Sequence, residues 1–168
     1  MANNLYICNT PLHLLIAEKI IKSEDLSSII YVTKTINEKE QFYLKRLQRK
    51  QLNIFIIKLN VNFLFNFIKL FFYTKSFKNI TFDNVYVGNL KTFYNRFLLF
   101  MINYKYLNSY DDGIGTLIKD GYFSNLDENF LSKLFFSITN MNFLYKNIIK
   151  NVNNQYIIYP LYLNLNLP

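Results

Sequence analysis

The sequence predicts an α/β fold built on a parallel sheet, and three observations predict it. Short apolar runs alternate with longer stretches whose apolar residues recur at helical spacing, from the first residues to about position 113. Threonine and proline mark a helix start immediately after the first apolar run. The 168 residues, 51% hydrophobic and 18% aromatic with 14 Tyr and 17 Phe, suffice for one core and hardly for two, so a single domain over residues 1–168 is expected.

"NLYICNT" opens the chain as a first strand, and "PLHLLIAEKIIKSEDL" continues it as a helix. Thr10 suits the N-cap, and Pro11 suits the first helical position, where its missing N–H costs nothing because that donor has no intrahelical partner. "SIIYVTK" reads as a second strand, "EKEQFYLKRLQRKQ" as a charged amphipathic helix and "NIFIIKLN" as a third strand. A helix over the most hydrophobic window, residues 61–73, then leads to a fourth strand at "NVYVGNL". Residues 91–104 form the next helical candidate, and "KYLNSYDDG" carries a fifth strand to a tandem pair of aspartates. Residues 128–150 read as mainly helical, and "NNQYIIYPLYLNLNLP" closes the chain as an apolar, aromatic segment. Nothing in the composition marks an internal domain boundary.

A net charge of +8 favours a polyanionic neighbour: nucleic acid, an anionic membrane surface or a phosphorylated substrate. A nucleic-acid module would interleave its basic residues with exposed aromatics on one surface. Here the basic residues are spread over several elements and the aromatics look internal, so no nucleic-acid partner is expected. Cys8 is the single cysteine and the amino terminus has no secretory pattern, from which a cytoplasmic location is expected. In the 61–73 window Asn62, Asn66 and Lys69 interrupt the apolar run well short of the ~20 residues that span a bilayer. Two readings of this window stand side by side. Its wide stripe of Phe63, Phe67, Leu70, Leu64, Ile68 and Phe71 suits a core-facing helix, and the flanking Lys58, Lys69, Lys75 and Lys78 suit an interfacial helix at the anionic inner face of the cell membrane.

Asp111 and Asp112 follow the fifth strand, and ligands of open parallel sheets bind at that carboxyl edge. Neighbouring strand residues point to opposite faces, so the two acids can share a cavity only where the backbone turns, as Gly113 and Gly115 allow. A carboxylate removing a proton from a sugar hydroxyl must be ionised and within about 3 Å of it, and aspartate with an ordinary pKa near ~3.9 is ionised at neutral pH. The plainer reading is an Asx turn whose side chains satisfy backbone N–H groups. Two contiguous acids without a nearby His, Cys or further acid make a poor divalent-cation set, and no metal is expected. His13, the single histidine, suits a helix-start residue beside the cleft. No P-loop, GxGxxG, CxxC pair or Ser/His/Asp set is visible.

Taken together, "LYICNTPLHLLIAEKII", "FYLKRL", "FDNVYVGNL" and "LNSYDDGIGTLI" resemble, in the same order, the amino-terminal half of bacterial sialyltransferases of glycosyltransferase family 52, the lipooligosaccharide sialyltransferase group. The resemblance runs from about residue 4 to the end of the chain. It implies one Rossmann-like, acceptor-side half of a two-domain GT-B fold, with the nucleotide-binding second domain absent. The implied reaction is metal-independent, inverting transfer of sialic acid from CMP-sialic acid to a terminal galactose of a surface glycan. On this resemblance Asp111 and Asp112 match the acidic pair of the family motif; it leaves open which carboxylate serves as base, a second candidate acid falling in the family's other half, and the first reading takes Asp111 as general base and Asp112 as its positioning partner. Thr10, Pro11, His13 and Gly113 stand on the substrate-binding side. Family members often carry Gln where this chain has His13, and the His-Pro motif of their second half has no counterpart here, so a complete active site is not expected in this chain alone. Expected partners are a nucleotide-sugar donor, a glycan acceptor and a second copy in a homodimer. The competing reading is a non-catalytic binding domain or membrane-surface interaction domain.

Overall fold

The structure, a computed structural model, describes residues 2–50, 52–111, 148 and 150–157. Among these residues six strands form one sheet: β1 (Asn3–Cys8), β2 (Leu26–Thr33), β3 (Asn53–Lys58), β4 (Thr81–Val87), β5 (Asn103–Asp111) and β6 (Val152–Ile157). Four helices accompany them, α1 (Pro11–Ile20), α2 (Glu38–Gln48), α3 (Phe63–Lys75) and α4 (Phe93–Met101). All neighbours are parallel and the order is β3-β2-β1-β4-β5-β6, a Rossmann-like arrangement. The chain runs outward from β1 to β3 and then crosses back to lay β4 on the free side of β1. Right-handed crossovers accordingly put α1 and α2 on one face and α3 and α4 on the other.

Two cores result, one on each face of the sheet. Leu5, Ile7, Ile30, Val85 and Val87 pack toward Leu70, Phe97 and Leu98 of α3 and α4, while Tyr6, Cys8, Ile29 and Tyr31 pack toward Leu14, Ala17, Leu44 and Leu47 of α1 and α2. Residues 4–8 of β1 are buried without a break, because a central parallel strand has no solvent face. Asn37 and Glu40 close a reciprocal cap on α2, with the Glu40 carboxylate accepting from Asn37 N–H at 2.6 Å and Asn37 Oδ1 accepting from Glu40 N–H at 3.0 Å. α1 and α2 are tied through Glu18, which accepts from Arg46 at 2.9 Å and faces Lys50 at 3.0 Å. Burial works against ionisation of that carboxyl, but the hydrogen bonds and charges of Lys50 and Arg46 together outweigh it and hold it below the ordinary value.

Several boundaries differ from the sequence expectation. α1 stops at Ile20 and not near Leu26, which instead begins β2, and α4 ends at Met101, with Asn103 already in β5. β6 was not anticipated, since "VNNQYI" alternates too weakly to announce a strand. Its register against β5, with Tyr110 opposite Tyr156, supplies the pairing that the pattern does not. The expected helix over 128–150 lies outside the described residues apart from its end.

For α3 the expected core-facing stripe is corrected in part, since Leu64, Ile68 and Phe71 of that stripe lie on the outer side of the helix. Phe67, Leu70 and Tyr73 turn to the core, whereas Leu64, Phe65, Ile68, Phe71 and Phe72 are exposed. The expectation that the aromatics are internal is thereby corrected for this element. Among the described residues, no helix is long and apolar enough to cross a membrane.

The cysteine sits deep in the α1/α2 side of the core, with Sγ 3.0 Å from the Tyr110 hydroxyl. Burial pushes its thiol up to about 12, an effect the contact with Tyr110 lowers in part. Native chain near pH 8 is therefore expected to resist a thiol-reactive disulfide reagent for hours and to react within minutes once unfolded in guanidinium. Fast labelling of the native chain would show that this part of the core opens readily.

Candidate functional site at the carboxyl edge of the sheet

The strand order reverses between β1 and β4, and there the connections leave for opposite faces of the sheet: α1 follows β1 and α4 follows β4. Such a divergence opens a crevice beyond the carboxyl ends of the strands. Residues 9–10, 88–89 and 110–111 border it, from β1, β4 and β5 respectively.

The floor of the crevice is an amide lock between the buried Asn95 and the half-buried Asn9. Asn9 Nδ2 donates to Asn95 Oδ1 at 3.2 Å and to the Val32 carbonyl at 3.3 Å, and Asn95 Nδ2 donates back to Asn9 Oδ1 at 2.6 Å and to the Asn89 carbonyl at 2.6 Å. One pair of carboxamides thus joins the ends of β1, β2 and β4 to the first turn of α4. Each amide is used as donor and acceptor at once, which is the condition for burying such groups without a penalty.

His13 lies beside this lock. Its ring is buried, its Nδ1 accepts from Asn9 N–H at 3.1 Å, and its backbone N–H donates to Thr10 Oγ1 at 3.2 Å. The Tyr110 ring meets it edge-on with centroids 5.5 Å apart. On the other side stands Gly88, where an added Cβ would come within 2.4 Å of His13 Nδ1, so nothing larger than glycine fits. Tyr110 in turn donates from its hydroxyl to the Ile7 carbonyl at 3.1 Å.

The candidate residues named from sequence are distributed as follows. Thr10 and Pro11 occupy the first turn of α1 as expected, Thr10 capping it. His13 belongs to the floor, held among Asn9, Gly88 and Tyr110. Asp111 is the last residue of β5, at the same carboxyl edge, paired in register with Ile157. Asp112 and Gly113 lie outside the described residues. Thr10, Pro11, His13 and Asp111 are therefore brought to one edge by β1, α1 and β5.

Sequence reasoning missed Asn9, Gly88, Asn95 and Tyr110. A signal existed for two of them, since Asn9 and Gly88 each fall near the carboxyl end of a predicted strand, where a parallel sheet places its ligand-facing turns. Asn95 gave no such signal, being one of many asparagines and 86 positions from its partner.

Among the described residues no group of three or more His, Cys, Asp or Glu side chains is gathered as for a metal ion. What the edge offers is a neutral, preorganised amide floor, two helix amino termini capped by Thr10 and Thr92, and a strand-end carboxylic residue. The helix termini favour an anionic group nearby.

No family model matches the chain. The chain is similar to a CMP-N-acetylneuraminate:beta-galactoside alpha-2,3-sialyltransferase of Pasteurella multocida (strain Pm70), with 37% identity over 123 residues, or 71% of this chain and 40% of that protein. Most of the chain is thus related to part of a sialyltransferase, and it spans well under two thirds of the length of that relative.

Proposed function

From this kinship to part of a bacterial sialyltransferase, we propose that the chain is the acceptor-side Rossmann-like domain of an enzyme that moves sialic acid from CMP-sialic acid to a terminal galactose. The identity over most of the chain is the observation that carries the reading. The crevice between β1 and β4 supports it, as this is the edge at which open parallel sheets receive nucleotide and sugar ligands.

In the proposed reaction a galactose hydroxyl oxygen attacks the anomeric carbon of the sialyl group from the side opposite the nucleotide. The bond from that carbon to the phosphate oxygen breaks, and CMP leaves with the electron pair. The hydroxyl proton passes to the Asp111 carboxylate, which Asp112 positions. Thr10 and Pro11 stand on the sugar side, the scheme assigns Gly113 to sugar binding as well, and the amide floor with His13 keeps the β1 and β4 ends from shifting beneath it. Charge that develops on the leaving phosphate is met by donors at the helix amino termini and by groups of a second, nucleotide-binding lobe. No metal takes part in this scheme. The site of action is cytoplasmic, with the chain held peripherally against the anionic inner face of the membrane, a part of the reading supported by the outer side of α3.

The test is an assay of the protein at its full natural length with CMP-sialic acid and a β-galactoside, with and without chelator. Expected is a galactoside heavier by one sialyl residue and equimolar CMP, unaffected by chelator. CMP release that ignores the galactoside would overturn the transfer reading, and loss of activity with chelator would overturn its metal independence.

A further inference from the structure

Helix α3 carries two apolar faces where a surface helix has one. Phe67, Leu70 and Tyr73 serve the core, and Asn66 anchors the start of the helix, accepting from Asn60 N–H at 2.6 Å and donating to the Asn60 carbonyl at 2.8 Å. Rotating by about 100° per residue, positions 64, 65, 68, 71 and 72 fall in one arc roughly 120° wide on the opposite side. There Leu64, Phe65 and Phe72 are 64%, 63% and 61% exposed. A contiguous row of such residues on one outer face is a docking surface by its chemistry, not the scatter of single exposed apolar residues normal to a protein.

The charge around that face says what docks. From residue 51 to residue 82, the segment that carries β3 and α3, the chain has no acidic residue and four basic ones: Lys58, Lys69, Lys75 and Lys78. Lys75 lies within the apolar arc itself, its ammonium 5.3 Å from the Phe71 ring centre and 5.4 Å from that of Phe72. A second copy laid on this face would bring ammonium groups together, and a neutral apolar partner would leave them without counter-charge. An anionic bilayer offers acyl chains to the rings and phosphates to the lysines at the depth each requires.

We propose that the outer face of α3 is the membrane-docking surface of this protein. The helix lies in the plane of an anionic bilayer, with Leu64, Phe65 and Phe72 at the boundary of headgroups and acyl chains and with Lys75 and Lys78 at the phosphates. The inference deepens the peripheral-membrane part of the function proposed above and is independent of the chemistry at Asp111.

Flotation of the chain with phosphatidylglycerol-containing vesicles, against pure phosphatidylcholine vesicles, tests it, since aggregated protein stays at the bottom of the gradient. Expected is flotation with the anionic vesicles that weakens as salt rises. The double variant Phe65→Ser/Phe72→Ser is expected to lower the partition coefficient at least about tenfold. Lys75→Glu/Lys78→Glu is expected to lower it by about tenfold or more. Both pairs are exposed, so circular dichroism and thermal melts should match the parent chain, and turnover on a soluble galactoside should be unchanged. Equal flotation with both kinds of vesicle, or variants that float like the parent, would overturn the proposal. So would a lipid-free dimer dissolved by Phe65→Ser/Phe72→Ser, which assigns the face to a second copy. A protein that floats yet transfers no sialic acid refutes the catalytic reading and leaves the docking surface standing.

Discussion

Asp111→Asn, made in the protein at its full natural length, is expected to lower kcat/KM for sialyl transfer by about 10²–10⁴ while leaving the fold intact. The magnitude is that of a lost general base. Asparagine has nearly the shape of aspartate, so a substrate held by shape alone would still bind, but its amide cannot take up the hydroxyl proton. The pH profile gives the more specific readout. If Asp111 is the base, activity of the parent is expected to fall at acid pH, and in the variant that acidic limb should disappear along with most of the rate. A raised KM with unchanged kcat would make Asp111 an acceptor-binding group and remove it from the proton transfer. Near-normal turnover would remove it from the site. The strand geometry motivates the choice, since Asp111 ends β5 at the same edge as Thr10 and Gly88.

Gly88→Ala is expected to destabilise the chain by about 3 kcal/mol, within the range for overpacking combined with strain on a buried hydrogen bond. For a domain of this size that lowers the melting temperature by roughly 6–12 °C. The new methyl would stand 2.4 Å from His13 Nδ1 and 2.6 Å from Cγ and Cε1 of the same ring. The ring has little room to retreat, because Asn9 N–H holds its Nδ1, Thr10 holds its backbone N–H and Tyr110 closes its far side. The loss should be strongly non-additive with His13→Ala, which removes the ring the methyl would strike. If the two single losses add in the double variant, the contact between residues 13 and 88 is not the cause. Thermal melts of the four forms decide this. If the amide floor supports the site above it, the Gly88→Ala chain should also bind galactoside more weakly at temperatures where it is still folded.

How much was legible in the sequence depends on the range of the interaction concerned. The β1–turn–α1 unit was readable because its signals are local: an apolar run, a threonine whose hydroxyl reaches three residues on, and a proline at a position that wants no N–H. The alternation of strands and helices through Asp111 was readable for the same reason, and with it the placing of Asp111 at a strand's carboxyl end. β6 was not, since its stability comes from pairing with β5 and not from its own pattern.

The site divides along the same line. Thr10, Pro11 and Asp111 stand out by residue type next to a predicted strand end. Asn95 does not, because a buried asparagine has the same local sequence as an exposed one, and here only the crossing of α3 brings it against Asn9. His13 was visible as a residue but not in its role, which depends on a glycine 75 positions away having no side chain.

By itself the sequence determined the α/β class, the order of elements through β5, the capping of α1 and the presence of a basic, aromatic window at 61–73. The tertiary structure decided which half of that window meets the core and which meets solvent, and which amides close the floor between β1 and β4. The physical reason is range: hydrogen-bonded caps and apolar periods act within a few residues, whereas burial and register arise between segments that the chain folds together from far apart.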